Sequence, residues 1–384
     1  MHIAYNGWFW DQPNTGSGQY LRSLLATLLR TAPEARLSLI LPPLPAPPTD
    51  IPDGIELVHT GVGAKPGKLG KVWFEQRTFP QTAGRIGAQI AHVPDWGPPL
   101  SSPIPMIASI LDVIPLAIPD YAAGVGARLY TSLVSAAARD AAHVITISQA
   151  AKDDIAKYLK LPPDLITVTH LAAADAYHPR MGSERDAEVR AKYDLPEQYV
   201  LYLGGFDIRK QVNQLLLAYT YVAQAEGEHT PLLIAGREPT WGTRMFPDLR
   251  AYAEQLKISE HVRWIGMVDE ADKPALYRMA SVFVFPSIYE GFGLPVLEAM
   301  ASGTPVVAND IPVMAEVVGD GAYLTAKGDA RAMAGAILAL LLQNPLRETQ
   351  ITRGLSQATR FGWRKTARET LAVYERVLAT TPAG

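Results

Sequence analysis

Two glutamates stand eight positions apart in the string Pro286-Ser287-Ile288-Tyr289-Glu290-Gly291-Phe292-Gly293-Leu294-Pro295-Val296-Leu297-Glu298-Ala299-Met300. Gly291 and Gly293 permit a tight turn and a close approach of a ligand to the backbone. From Leu294 onward the pattern opens a helix, whose first N–H groups can hold an anion or a hydroxyl-rich ligand. Glu290 precedes that helix and Glu298 lies about one turn inside it, so one ligand could reach both. Taken singly, each glutamate reads equally well as a solvated carboxylate steadied by the helix dipole. A second constellation is Tyr202-Leu203-Gly204-Gly205-Phe206-Asp207-Ile208-Arg209-Lys210. It sets a basic pair just past a strand end and a Gly-Gly turn, where open α/β sheets bind ligands. Arginine forks onto phosphate oxygens and lysine acts as a point charge; the alternative is an exposed basic pair.

A third stretch, Asn14-Thr15-Gly16-Ser17-Gly18-Gln19-Tyr20, follows the first predicted strand and precedes an apolar helix. A dinucleotide fingerprint would need a third glycine where Leu21 stands and an acidic residue at a strand end about 20 residues on. Neither is present, which disfavours an NAD site and leaves Asn14 and Ser17 as hydrogen-bonding groups on a glycine loop. In His92-Val93-Pro94-Asp95-Trp96, His92 could contact a sugar and Trp96 could offer a stacking face; the alternative is a packed loop. No His, Asp or Glu set has metal-ligand spacing, and without cysteine there is no thiolate site and no thiol nucleophile. Neither a metal nor a cofactor is expected.

The elements that must position these groups are legible from apolar runs. Strands are predicted near 2–7, 36–41, 54–59, 88–93, 105–111, 142–147 and 165–170, then near 199–204, 231–236, 262–266, 281–286, 304–308 and 322–325. Runs such as Val282-Phe283-Val284-Phe285 suit parallel strands covered on both faces. Helical stretches such as Leu21–Leu29, Asn213–Gln224 and Arg331–Leu342 alternate with them. The pattern, seen twice, implies an α/β protein of two Rossmann-like, doubly wound domains. The chain of 384 residues, 48% apolar, can bury such cores. A net charge of −3, with neither half markedly basic, disfavours a nucleic-acid partner. No run reaches the roughly 18 apolar residues of a membrane span and the first residues lack signal-peptide character, so a cytoplasmic protein is expected. Tyr177–Arg190 reads as a linker, Leu41–Pro52 as a stiff proline-rich surface loop, and Gly61–Lys71 as a mobile one.

The Glu290–Glu298 string resembles the E-x7-E signature of the retaining glycosyltransferases of family four, which have the GT-B fold. The glycine loop at 14–20, the loop at 202–210, Leu233-Ile234-Ala235-Gly236, Ile265-Gly266-Met267-Val268 and the end Phe361-Gly362-Trp363 resemble further landmarks of that family, in family order. The resemblance implies an acceptor-binding domain at 1–180, a nucleotide-sugar-binding domain at 181–363, a cleft between them, and a terminal helix at 364–384 crossing back to the first. It implies transfer of a hexose from a nucleoside-diphosphate sugar to a hydroxyl, with retention and without a metal. Arg209 and Lys210 would stabilise the leaving diphosphate, Glu290 would hold the sugar and Glu298 the ribose. Backbone at Phe292, Gly293 and Leu294 would meet sugar and phosphate, with Gly16, Ser17, Gly18, Gly204 and Gly205 also lining the donor. Gly266, Met267 and Val268 would meet the base, and Asn14, His92 and Trp96 the acceptor.

The sequence departs from the family at two places. Leu111 stands where relatives carry a histidine; Asp112, which follows, is a candidate catalytic residue that could take over a polar role there, the alternatives being a chemistry that needs no base and an aspartate that caps a turn. Gly205 stands where many carry an arginine, so phosphate clamping falls to Arg209 and Lys210. The nearest branch is mannosyltransferase-like and builds surface polysaccharides. It implies GDP-mannose as first donor and a UDP-hexose as second, with a glycan, lipid-linked or small-molecule acceptor. A nucleotide-sugar epimerase of the same fold and a non-catalytic carbohydrate-binding protein are the alternatives. Weak peripheral membrane contact would fall on Lys65, Lys68, Lys71, Val72, Trp73, Phe74 and Arg77.

Overall fold

The computed structural model describes residues 1–380 except 14, 62, 64 and 123. Every predicted strand has its counterpart. The first sheet contains β1 (His2–Asn6), β2 (Arg36–Leu41), β3 (Ile55–His59), β4 (Ile90–Val93), β5 (Met106–Ser109), β6 (His143–Thr146) and β7 (Ile166–Val168). The second contains β8 (Val200–Leu203), β9 (Leu232–Ala235), β10 (Val262–Gly266), β11 (Val282–Phe285), β12 (Val306–Asn309) and β13 (Tyr323–Thr325). All pairings are parallel. The orders are β3-β2-β1-β4-β5-β6-β7 and β10-β9-β8-β11-β12-β13. Each sheet therefore reverses its winding once, at β1/β4 and at β8/β11. Helix-bearing crossovers cover both faces, which is why β1, β4, β9 and β11 are buried along their whole length.

The chain forms two compact units, Met1–Leu171 together with the stretch from Gly362 onward, and Ala172–Phe361. The division falls earlier than the 180 read from the sequence, and the expected linker is a docked segment. The Arg278 guanidinium binds the carbonyls of His178 at 3.1 Å and Met181 at 3.0 Å, and pairs with Asp186. Tyr177 stands edge-on to Tyr277, ring centroids 5.8 Å apart. The polar residues of this stretch satisfy one another, so polarity does not mark a free tether here.

The terminal helix Trp363–Thr380 belongs to the first unit. It buries Ala367, Thr370, Val373, Tyr374 and Val377, a stripe with helical spacing. Thr366 anchors its start by donating to the His170 carbonyl at 2.5 Å.

Candidate active site

The second unit gathers charged groups where its sheet reverses. After β8 the chain passes Gly204 and Gly205 into the turn Ile208–Lys210, with the Asp207 side chain accepting from the Arg209 N–H at 3.2 Å. Gln211 then takes a left-handed conformation, φ 49°, and starts the helix Val212–Glu226. After β11 the chain runs through residues 286–293 into the helix Leu294–Ala301. Gly293 opens that helix at φ 97°, and a side chain there would meet Met314 Cε at 2.4 Å. Pro295 in the first turn lacks an N–H that would have no intrahelical acceptor. The two loops are tied together by the Ile288 N–H donating to the Arg209 carbonyl at 3.0 Å.

On this frame Glu290 Oε1 lies 2.6 Å from both Lys210 Nζ and an Arg209 guanidinium nitrogen. Arg209 also donates to the Tyr289 carbonyl at 2.9 Å, and Lys210 sits 5.2 Å over the Phe285 ring. All three charged side chains are largely buried, with 11–13% of each exposed. Burial pushes the Glu290 carboxyl up, but Lys210 and Arg209 outweigh it and hold the group below its ordinary value. The sequence singled out these residues separately; the structure makes them one triad.

The neighbouring strand ends are built for close approach. Gly236, after β9, has φ 153°, and a side chain there would lie 2.1 Å from the Gly204 carbonyl oxygen. Its N–H donates to the Gly266 carbonyl at 2.8 Å. Gly266 has φ 71°; beyond it Met267 is exposed and Val268 buried. The Phe292 side chain is in the core, edge-on to Phe361 at 5.7 Å, and is not offered to a ligand.

Glu298 lies in an aromatic setting. Tyr277 donates to Glu298 Oε2 at 3.2 Å, and Tyr177 also hydrogen-bonds to the carboxylate. Burial raises the Glu298 carboxyl to about 7, against the lowering pull of Lys273 and the two tyrosines. Neither tyrosine was singled out from the sequence. Tyr277 reads there as an ordinary core aromatic, and its pairing with residue 298 depends on how two helices pack.

In the first unit Thr15 caps the helix Gly16–Thr31, its hydroxyl accepting from the Gly18 N–H at 3.2 Å. Only glycine fits at 18, where a side chain would lie 2.0 Å from the Gln12 carbonyl oxygen, whereas Gly16 faces open space. Ser17 donates to Asp95 at 3.0 Å. Lys71 lies 3.2 Å from Glu75 and 3.7 Å from Asp95, and its ammonium contacts the Tyr130 hydroxyl at 3.2 Å. Asn14 lies outside the described residues.

His92 does not join the site. It is wholly buried, with Nε2 2.7 Å from the Ser109 hydroxyl and Nδ1 2.6 Å from the Tyr374 hydroxyl. Tyr374 in turn meets Tyr5 at 2.9 Å, and Ser109 meets Tyr20 at 2.8 Å. Burial lowers the His92 imidazole to about 3, so it is neutral, structural, and out of reach of an acceptor. Trp96 packs on the core formed by residues such as Ala108, Ile110 and Val113. Asp112 accepts from the Ile114 N–H at 3.0 Å and turns the chain into the short helix Ile114–Ala117.

The basic stretch is thinner than its sequence suggests. Lys65 is held by the Trp8 carbonyl at 2.7 Å and by Asp11 at 2.5 Å, Lys71 by the cluster above, and Phe74 is buried. Two of the three lysines in Gly61–Lys71, Lys65 and Lys71, are thus held by partners, while residues 62 and 64 of that stretch lie outside the described residues. Lys68, Leu69, Trp73 and Arg77 are exposed. Among the described residues no helix is long and apolar enough to cross a membrane, and no group of three or more His, Asp or Glu could hold a metal ion.

Comparisons with known proteins bear on the family and the fold. Residues 15–172 match the family model "Glycosyltransferase Family 4", and residues 185–357 match "Glycosyl transferases group 1". The chain is 35% identical over 233 residues to an O-antigen chain mannosyltransferase B of Escherichia coli, covering 60% of each. It is 39% identical over 182 residues to a phosphatidyl-myo-inositol mannosyltransferase of Mycobacterium leprae, covering 46% of each. The matched region thus spans less than two thirds of the length of these curated relatives. In fold it is similar to the sucrose-phosphate synthase of Thermosynechococcus elongatus, with a TM-score of 0.78 at 21% identity over 99% of this chain and 100% of that one. With two parallel Rossmann-like sheets and both family models matched in order, the chain belongs to the family-four glycosyltransferases and has their GT-B fold.

Proposed function

We propose that this chain transfers a hexose from a nucleoside-diphosphate sugar to a hydroxyl of a glycan, lipid-linked or small-molecule acceptor, with retention at the anomeric carbon. The observation that carries the reading is the meeting of Arg209, Lys210 and Glu290 at the β8/β11 reversal. The leaving group is a diphosphate, so the main demand on the protein is to stabilise charge that develops on phosphate oxygens. Two cations fixed at one strand end meet it without a metal. A diphosphate oxygen competes with Glu290 for Lys210 and Arg209. As it takes them, the Glu290 carboxylate becomes available to accept hydroxyls of the donor sugar. Glu298 accepts the ribose hydroxyls, backbone at 292–294 meets sugar and phosphate, and the base lies against Gly266, Met267 and Val268.

With leucine at 111, no proton is routed through that position. The leaving phosphate oxygen itself accepts the acceptor proton. Asp112, occupied as a turn cap, adds only local polarity.

GDP-mannose is the first donor, because relatives 35% and 39% identical over the matched regions are named as mannosyltransferases; a UDP-hexose is the second. The first unit takes the acceptor. The chain works in the cytoplasm, with Lys68, Trp73 and Arg77 giving at most weak contact to an anionic bilayer, read by flotation with anionic vesicles at low salt. A thermal-shift panel of GDP, UDP, ADP and their sugar conjugates tests the donor, since a bound nucleotide raises the melting temperature by mass action. Product NMR then reads the anomeric configuration. Stabilisation by none of the nucleotides sinks the proposal, and epimer formation without transfer replaces it with an epimerase.

A further inference from the structure

Glu298 is a buried carboxylate flanked by two phenols that the reaction does not itself require. Tyr277, on the helix Lys273–Met279, is fully buried, held edge-on by Phe283 with ring centroids 5.1 Å apart, and donates to Glu298 Oε2 at 3.2 Å. Tyr177, from the segment that enters the second unit, is partly exposed, stands edge-on to Tyr277 and also hydrogen-bonds to the carboxylate. Packing alone would be served by phenylalanine at both positions. An ionised carboxylate has about four lone-pair sites, so two phenol donors leave room for the two neighbouring hydroxyls of a ribose.

We propose that Tyr177 and Tyr277 are positioning residues for the donor, whose hydroxyls hold the Glu298 carboxylate in the orientation that accepts the ribose diol. The inference rests on the reading of Glu298 as the ribose ligand. Besides the tyrosines, the groups facing Glu298 are Lys273, which favours its charged form, and Glu270, which opposes it; Lys273 and Glu270 are themselves paired. Burial dominates and brings the carboxyl to about 7. The tyrosine hydrogen bonds work in the opposite direction, so they favour its ionised form as well as orient it. Removing either donor moves the titration to higher pH.

The test is calorimetric titration of the full chain with GDP and with 2′,3′-dideoxy-GDP between pH 5.5 and 8.5, repeated with the UDP pair if the panel selects uridine. Wild type, Tyr177→Phe, Tyr277→Phe and Glu298→Gln are compared. The wild type prefers the ribonucleotide by about tenfold at pH 8, the order expected of hydrogen bonds to a charged group. That preference fades as the pH falls through about 7. In Glu298→Gln the preference and its pH dependence both collapse. In each tyrosine variant the preference drops severalfold and its midpoint moves up in pH. Tyr177→Phe carries the test if Tyr277→Phe folds poorly, because Tyr177 is partly exposed. Tyrosine variants that fold and keep the wild-type preference and midpoint overturn the positioning role while leaving Glu298 in place. A wild type that does not distinguish the two nucleotides, or a Glu298→Gln that behaves like it, overturns the ribose reading and this inference with it.

Discussion

In the second unit the loops after β8 and β11 bring Arg209, Lys210 and Glu290 to one point. In the first, the loops after β1 and β4 occupy the same place in an equivalent strand order, and there Ser17 meets Asp95 at 3.0 Å. Both reversals carry a contact between loops, but their electrostatics are opposite. The second unit has two cations sharing one carboxylate. The first has one ammonium, Lys71, between Glu75 and Asp95, and burial raises the Glu75 carboxyl to about 7. A diphosphate is attracted to the first arrangement described and repelled by the second, whereas a neutral hydroxyl-bearing acceptor suits the second. On the proposed reading, the same architecture separates donor from acceptor by the charges its loops carry, and each variant below attacks one side of that contrast.

The largest effect is expected at Lys210. Lys210→Ala removes the cation with the fewest other anchors, since Arg209 is also held by the Tyr289 carbonyl. Transfer should slow by about 10²-fold or more, as when a preorganised charge stabiliser is lost, and nucleoside-diphosphate affinity should fall with it. Unchanged affinity and rate in steady-state kinetics and calorimetry would remove Lys210 from the donor site and dissolve the contrast.

Glu290→Gln separates the two roles of that carboxylate. On the proposed role, transfer should fall by about 10²-fold, because the sugar exchanges a charged acceptor for a weaker, neutral amide oxygen. Bare nucleoside diphosphate should bind more tightly, because it no longer competes with Glu290 for the cations. Without nucleotide the variant should melt lower, since two largely buried cations lose their counter-charge, at a cost of about 3 kcal/mol; GDP or UDP should restore much of that. Weaker diphosphate binding would mean that Glu290 organises the cations rather than competing with them.

His92 shows where sequence reading stopped. Its position near the end of β4 made it a plausible sugar contact, but its partner Tyr374 lies in the terminal helix, far along the chain, and no local pattern carries that pairing. The strands were legible because apolar, often β-branched runs of three to six residues suit burial in a two-sided sheet. Arg209, Lys210 and Glu290 were legible as residue types beside glycine turns, but their mutual pairing was not, because it depends on β8 and β11 being neighbours. The unit boundary was misplaced because Arg278, from much later in the chain, gathers residues 178–186.

The first unit offers a test by stability. His92→Ala leaves a void and strips partners from the buried hydroxyls of Ser109 and Tyr374, a loss of about 3 kcal/mol. Acceptor KM should not change. In the wild type, the folded imidazole titrates near 3 against an ordinary 6.5. The unfolded chain therefore binds more protons between those values, and this contribution is full above pH 6.5 and lost as the pH falls through the window. Chemical denaturation at pH 7.5 and pH 5 should show the gap between wild type and His92→Ala narrowing at the lower pH. A raised acceptor KM at unchanged stability would return His92 to the site.

The smallest effect concerns Gly205. The backbone there does not require glycine, as its φ is not positive. A side chain at 205 would meet Asp207 Oδ2 at an ordinary 3.5 Å. Gly205→Arg should therefore fold and place a third cation beside the strand end that holds Arg209 and Lys210. The new guanidinium starts at the surface with Asp207 as a competing partner, so its attraction to a diphosphate is screened and partly cancelled, worth about 0.5–1 kcal/mol. Diphosphate affinity should rise about two- to fivefold at low salt and return toward wild type at high salt. If that gain appears without faster transfer, the added charge holds ground state and transition state equally, and the existing pair already supplies what the leaving group needs. If transfer accelerates as well, the glycine is a weakness in this chain's phosphate clamp, and the charge contrast between its two units is less complete than Arg209 and Lys210 make it.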